Sequence, residues 1–144
     1  MVYETDENLN PDLRKWGCAF LSLAHYQADL TDFELDSIAE RCKAAGILDE
    51  EDAVQDWQKL VDVFGFNLVY RNGHFPDGTP IDSSTYLIGE WSFGNTTHFV
   101  VMDGHGVDKT NVSYDPIEGG SNTVAKGSFI SYRIFDIISK EEEA

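Results

Sequence analysis

"RKWGCAFLSLAHY" (residues 14–26) sets a lone cysteine behind a Trp-Gly pair at the head of an apolar run. From Gly17 to about Ala28 the run has too little turn chemistry for a loop and is long for a strand, so it reads as a buried helix with Cys18 in its first turn. A cysteine in that place is either a small packed residue or a nucleophile. The elements around it decide between the two.

Upstream, residues 1–12 are polar and acidic and end at Asn10-Pro11, where the residue before proline is pushed away from helix. That segment is expected to be loose, with the fold beginning near Leu13. Downstream, Thr31 and Glu34 form a capping box, with Leu30 and Leu35 at the staple positions. The helix they start carries Leu35, Ile38, Ala39 and Cys42 on its inner face, which makes Cys42 a structural thiol. Gly46 stops it. After the acidic turn DEED (49–52), a third helix is expected to place Val54, Trp57, Leu60, Val61 and Phe64 in the core, and Gly65 to close it.

Beyond Gly65 the period changes. FNLVY (66–70), TYLIGEW (85–91), HFVVMDG (98–104), NVSYD (111–115) and SFISYRIFDI (128–137) are short, rich in β-branched and aromatic residues, and separated by turn formers. Helices first and strands afterwards, with hairpin-length links, indicate an α+β domain with a mainly antiparallel sheet. At 144 residues and 42% hydrophobic composition the chain can bury a core as one domain over 1–144, with EEEA at 141–144 fraying.

Ten Lys and Arg against 26 Asp and Glu give a net charge of −16. Such a chain repels nucleic-acid phosphates and anionic membranes, so neither is an expected partner. The acidity serves solubility, or else a basic partner. No stretch has the eighteen or more apolar residues of a membrane span. Cys18 and Cys42 could bridge, but no signal peptide precedes them, and a reducing cytoplasm is the simpler expectation.

A cysteine attacks as its thiolate, and a helix N-terminus with a partner histidine lowers its pKa. Of four histidines, His25 is about 10 Å along the same helix, too far for proton transfer. His74, in RNGHFPDGTP, and His105, in DGHG, sit among turn formers and read as exposed loop residues. His98 opens the strand HFVVM, where it is a satisfied core residue or a rigidly held base. DGHG can turn the chain so that NVSYD runs back beside HFVVM, bringing Asp115 towards His98 as an orienting carboxylate.

Metal and cofactors are not expected. There is no C-x₂-C pair or H-E-x-x-H, and no glycine pattern follows a strand and opens a helix. Trp16, Trp91 and Phe93 either pack in the core or line a groove beside the thiol that binds an extended peptide, with Gly94-Asn95-Thr96 as its wall.

Taken together, "WGCAFLSLA" (16–24), "THFVVMDG" (97–104) and "SYDPIEGG" (113–120) resemble papain-like cysteine peptidases of the type that process double-glycine bacteriocin leaders, with a small phage-borne branch sharing the Y/W-G-C start. The resemblance implies a papain-like fold and hydrolysis of a peptide or amide bond through an acyl-enzyme. It makes Cys18 the nucleophile, His98 the general base and acid, and Asp115 the orienter; Trp16, Trp91 and Asn95 are the candidate substrate contacts of the groove alternative above. It also implies an oxyanion hole with a glutamine amide about six residues before the cysteine. Asp12 stands there instead, an acceptor when ionised, and Asn10 lies two residues earlier. Two expectations result: a cysteine peptidase or amidase acting on a peptide or protein substrate, basic if the charge matters, or a papain-like fold without turnover that binds proteins through its acidic surface.

Overall fold

The computed structural model describes residues 2–4, 17–27, 29–50, 53–103, 106–117 and 119–138. The run that opens with Cys18 forms α1 (Cys18–Ala24), in which every residue from Ala19 onward is buried, and continues into a 3₁₀ turn at His25–Gln27. The second helix, α2 (Asp32–Ala44), begins at the expected capping box, where the Glu34 N–H donates to Thr31 Oγ1 and the Thr31 N–H donates to Glu34 Oε1, each at 3.2 Å. Leu35, Ala39 and Cys42 are buried on its inner face, and Ile38 packs beside them.

The third helix, α3 (Trp57–Phe64), is shorter than expected. Asp56 ends the extended chain and caps the helix by accepting the Lys59 N–H at 3.0 Å, which leaves Val54 outside, paired with Leu48 in an isolated bridge. Gly65 closes α3 at φ 75°, a conformation that costs glycine little and other residues more.

The five strands are β1 (Leu68–Phe75), β2 (Thr85–Phe93), β3 (Thr96–Met102), β4 (Val112–Tyr114) and β5 (Ser128–Ile137). They form one sheet in the order β1-β5-β2-β3-β4, with every neighbouring pair antiparallel. The chain is therefore α+β, helices first and the sheet mostly afterwards.

Two differences from the sequence reading bear on the site. β1 runs through the turn formers Asn72 and Gly73 as far as Phe75, because a register shift between Arg71 and Phe75 absorbs the irregularity, so His74 is a strand residue rather than a loop residue. A further short helix, α4 (Asn122–Lys126), follows Ser121, whose hydroxyl accepts the Val124 N–H at 3.3 Å. At five residues it has no periodic signature to read.

Side chains alternate along β2 and β5, and two apolar clusters result. Ile88 and Phe135 join Phe20, Leu21, Leu35, Leu60 and Val61 in the cluster that holds α1 to α3. Leu87, Trp91, Tyr132 and Ile134 join Val100, Met102 and Val124 in the second. Each fully buried side chain of this size contributes about 1.5–3 kcal/mol, so the first cluster is what fixes α1 and hence Cys18.

β4 pairs with β3 only near Val101 and Met102, so the His98 end of β3 has no strand on its outer side. There α1 docks instead, with the Ser22 hydroxyl donating to the Phe99 carbonyl at 3.1 Å. Residues 2–4 close the gap. The Glu4 N–H donates to the Pro116 carbonyl at 2.7 Å and the Tyr114 hydroxyl donates to the Val2 carbonyl. The expectation that residues 1–12 are loose is thus corrected for these three, which continue the main-chain pairing where β4 ends. Residues 5–12 and 141–144 lie outside the described residues.

Candidate active site

His98 sits in β3, only 5% exposed, opposite Trp91 in the strand register. The β3–β4 pairing returns the chain to Asp115, and His98 Nε2 lies 2.7 Å from Asp115 Oδ1. The Asp115 carboxylate also accepts the N–H groups of Ile117 and Ser121, each at 2.9 Å. Burial alone would raise its pKa. The hydrogen bond and charge of His98, with the Ile117 and Ser121 contacts, outweigh burial and hold Asp115 below the usual carboxylate range. An ionised Asp115 can only accept, so Nε2 carries a proton, and in neutral His98 the free lone pair is on Nδ1.

The Cys18 sulfur, a ring nitrogen of His98 and a carboxyl oxygen of Glu4 all lie within 4.8 Å of one another. This is within the loose reach common in substrate-free sites. Cys18 itself is partly exposed, at the head of α1.

The sequence reading expected the helix terminus to lower the thiol pKa, and here the structure differs. Burial and then the neighbouring Glu4 push the Cys18 thiol up to about 12, while backbone hydrogen bonds from Phe99, Ala19 and Cys18 itself act in the opposite direction without prevailing. A helix start offers partial charges, and those cannot offset removal from water beside a second acidic group. The resting site holds a thiol, not a preformed thiolate.

Glu4 was missed in the sequence, where it sits in a polar stretch that carries no periodic signal. It is 5% exposed, and burial followed by the nearby Asp115 raises its carboxyl pKa to about 8. Its Oε1 is buried with no hydrogen-bond partner among the described residues. The only cue was Val2-Tyr3, two apolar residues that could anchor the segment.

A cavity of about 1000 Å³ opens over these groups. Cys18, Ala19 and Glu4 line it beside His98, α3 contributes Trp57 and Gln58, β1 contributes Tyr70, Asn72 and His74, and β5 contributes Arg133. Arg133 is buried against Glu90, 3.1 Å away, with its guanidinium 5.3 Å from the Phe99 ring centre. Asn95, proposed from sequence as a substrate contact, does line the cavity, from the two-residue turn that joins β2 and β3.

Trp91 does not. Its ring packs in the second apolar cluster with Leu87 and Met102, and its Nε1–H donates to Met102 Sδ at 3.4 Å, although the strand register sets it opposite His98. Trp16, Asn10, Asp12 and His105 lie outside the described residues. His25 stacks on Tyr114 with ring centres 4.0 Å apart, as a packing residue would. Cys42 is fully buried, in agreement with a structural thiol.

Spacing in the sequence offered no metal ligands, yet folding gathers a sulfur, an imidazole and a carboxyl at one point. By donor type Glu4, Cys18 and His98 could hold a zinc ion, with Asp115 behind His98 as the usual carboxylate support. Motif spacing gave no sign of this donor cluster, since residues far apart in sequence meet only through the fold.

A Cys-His-Asp cluster with a buried carboxyl beside it, at the edge of an antiparallel sheet, is thus the site that this α+β domain presents. Residues 1–137 match the family DUF261, described as "Protein of unknown function, DUF261", and the chain belongs to that family. No curated protein and no solved structure matches it.

Proposed function

We propose that this protein is a thiol hydrolase that cleaves a peptide or amide bond through an acyl-enzyme on Cys18. The observation that carries this reading is the His98–Asp115 pair, locked at 2.7 Å and set beside a cysteine at the wall of a large cavity. The chain order, with Cys18 heading a helix and His98 and Asp115 following on strands, is also that of the papain-like peptidases that the sequence resembles.

Because the thiol is neutral at rest, attack requires His98 to act during the step. The Cys18 proton passes to His98 Nδ1 as the Sγ–C bond forms and the carbonyl electron pair moves onto oxygen. On collapse the C–N bond breaks and the Nδ1 proton goes to the leaving amine. Water then attacks the thioester, giving a proton to His98, and the Sγ–C bond breaks to release the acid and restore the thiol. Asp115 holds the ring and stabilises its protonated form throughout.

A net charge of −16 favours a substrate with basic side chains. Both cysteines are free, and a reducing compartment such as the cytoplasm suits a working thiol. Among the described residues no helix is long and apolar enough to cross a membrane.

The test is acylation of the intact chain by p-nitrophenyl acetate, followed by nitrophenolate release and by mass. One acetyl group on Cys18, lost in Cys18→Ala and in His98→Ala, is the expected result. Acetylation of Cys18 by p-nitrophenyl acetate no faster than that of a free thiol peptide would sink the hydrolase reading and favour the rival, a binding module that works through its acidic surface.

A further inference from the structure

The hydrolase reading uses Cys18, His98 and Asp115 and leaves Glu4 without a task. Glu4 enters the cluster on its own segment, pinned where its N–H donates to the Pro116 carbonyl at 2.7 Å, and it is 5% exposed. Its Oε1 is buried and no described residue satisfies it. A buried polar atom without a partner costs stability, so one that persists beside a sulfur and an imidazole calls for a ligand that all three share.

We propose that Glu4, Cys18 and His98 form a zinc-binding site, and that zinc held there keeps the hydrolase switched off by occupying the sulfur that attacks and the ring nitrogen that takes its proton. The switch rests on the hydrolase reading, whereas the site rests on the donors alone. Sulfur, imidazole and carboxylate together suit zinc, while magnesium and calcium take oxygen ligands. The three donor atoms lie within 4.8 Å of one another. Ligand atoms around a tetrahedral zinc, with bonds of about 2.0–2.3 Å, stand about 3.5 Å apart, so side-chain shifts of about 1 Å close the set.

The surroundings fit such a site. Asp115 engages Nε2 of His98 at 2.7 Å, which leaves Nδ1 as the nitrogen that coordinates and supplies the carboxylate support usual behind a zinc-bound histidine. Each donor arrives on a separately anchored segment: Glu4 beside Pro116, Cys18 on the buried helix α1 and His98 in β3. Three protein ligands leave a fourth position for water, and the cavity of about 1000 Å³ that all three line gives water access to it.

On binding, zinc forms bonds to Sγ, Nδ1 and a Glu4 oxygen. Cys18 binds as thiolate and Glu4 as carboxylate, and the protons they carried leave to water. No electron changes hands, and a chelator that removes the zinc reverses each step. Since acylation needs the same sulfur and the same ring nitrogen, zinc and substrate chemistry exclude each other.

The test uses the full chain freed of metal by a chelator and then desalted. Zinc titrated against a chromophoric indicator is expected to bind at one ion per chain, with iodoacetamide labelling and p-nitrophenyl acetate acylation of Cys18 falling in step with occupancy. Cobalt, as a spectroscopic stand-in, is expected to give a sulfur-to-metal charge-transfer band that Cys18→Ala lacks. Magnesium and calcium should do none of this. Glu4→Gln, with a neutral amide in place of the carboxylate, is expected to weaken zinc binding by at least about 10-fold. His74→Ala, which removes a histidine of the same cavity outside the donor set, should bind zinc as wild type does.

Zinc taken up without the cobalt–sulfur band, or with unchanged affinity in Cys18→Ala, would place it on the acidic surface and overturn the site. The wild-type cobalt spectrum decides this even where a variant fails to fold. Acylation of the metal-free chain that bound zinc leaves untouched would overturn the switch and leave the hydrolase standing. A metal-free chain that binds zinc through Cys18 but is never acylated would remove the hydrolase reading and the switch with it, while the zinc site stands.

Discussion

His98 Nε2 and Asp115 Oδ1 meet at 2.7 Å across the open end of the β3–β4 pair, and Asp115 is gripped in turn by the N–H groups of Ile117 and Ser121. Removing the carboxylate frees the imidazole to rotate and leaves two N–H donors unpaired. Asp115→Ala is therefore expected to slow acylation of Cys18 by on the order of 10²-fold and to lower the melting temperature. The pKa of Asp115 is depressed on folding, so its stabilising contribution is present above its ordinary value of 3.8 and is lost as the pH falls below it. Thermal melts of wild type and Asp115→Ala at several pH values should converge in acid.

The two thiols should differ sharply. With Cys18 pushed up to about 12 and Cys42 fully buried, iodoacetamide at neutral pH is expected to label Cys18 slowly and Cys42 not at all. The Cys18 rate should keep rising beyond the value near 8.5 at which a free thiol levels off. Cys18→Ala should take no label until unfolded. Levelling near 8.5 would show that Glu4 and burial do not govern the thiol.

Glu4 has the opposite linkage to Asp115. Its folded pKa of about 8 lies above the ordinary 4.5, so its contribution is complete below 4.5 and is lost as the pH rises towards 8. At about 1.4 kcal/mol per unit, the ceiling on that loss is about 5 kcal/mol. Denaturant titrations should find Glu4→Gln gaining on wild type between those two pH values. Parallel curves would mean that Glu4 is ionised in the folded protein.

Divalent zinc offers a separate test of how the cluster works. If Glu4, Cys18 and His98 act as a thiol site, EDTA should leave acylation of Cys18 unchanged, and added zinc should suppress both acylation and iodoacetamide labelling by capturing the sulfur. Loss of activity on chelation, restored by zinc, would reassign the cluster as a metal centre.

Gly127 joins α4 to β5, and a Cβ there would lie 2.1 Å from the carbonyl oxygens of both Ser92 and Thr123. Both are backbone atoms, so neither can swing aside. Gly127→Ala is expected to cost at least about 1–3 kcal/mol by overpacking, read as a lower urea midpoint. Gly46, with open space around it, bears on conformation alone and makes the comparison.

The parts of this fold legible in the sequence are those with a local cause. The Thr31–Glu34 box, the Leu35–Ala39–Cys42 stripe, Gly65 and the limits of β5 all follow from neighbours within a few residues. The placement of His98 against Asp115 was legible too, since a hairpin constrains both ends of its strands. Glu4 and Trp91 were not. Glu4 is drawn in by main-chain pairing with Pro116, 112 residues away, and Trp91, although its register partner is His98, packs its ring against Met102 away from the cavity. Neither pairing leaves a mark in local periodicity. His74 was misread because a bulged strand and a loop have the same composition.

The position of β5 governs when the site can exist at all. The last strand to leave the ribosome is not at the rim of the sheet but between β1 and β2. Until residues 128–137 emerge, those two strands have no common neighbour, and Arg133 is missing from the wall of the cavity. Cys18, made before these residues, must therefore wait in an unfinished surround. Pairings this distant along the chain also slow folding. A ribosome-stalled chain that lacks β5 would carry the Cys18 thiol without the cavity wall that the proposed hydrolysis needs.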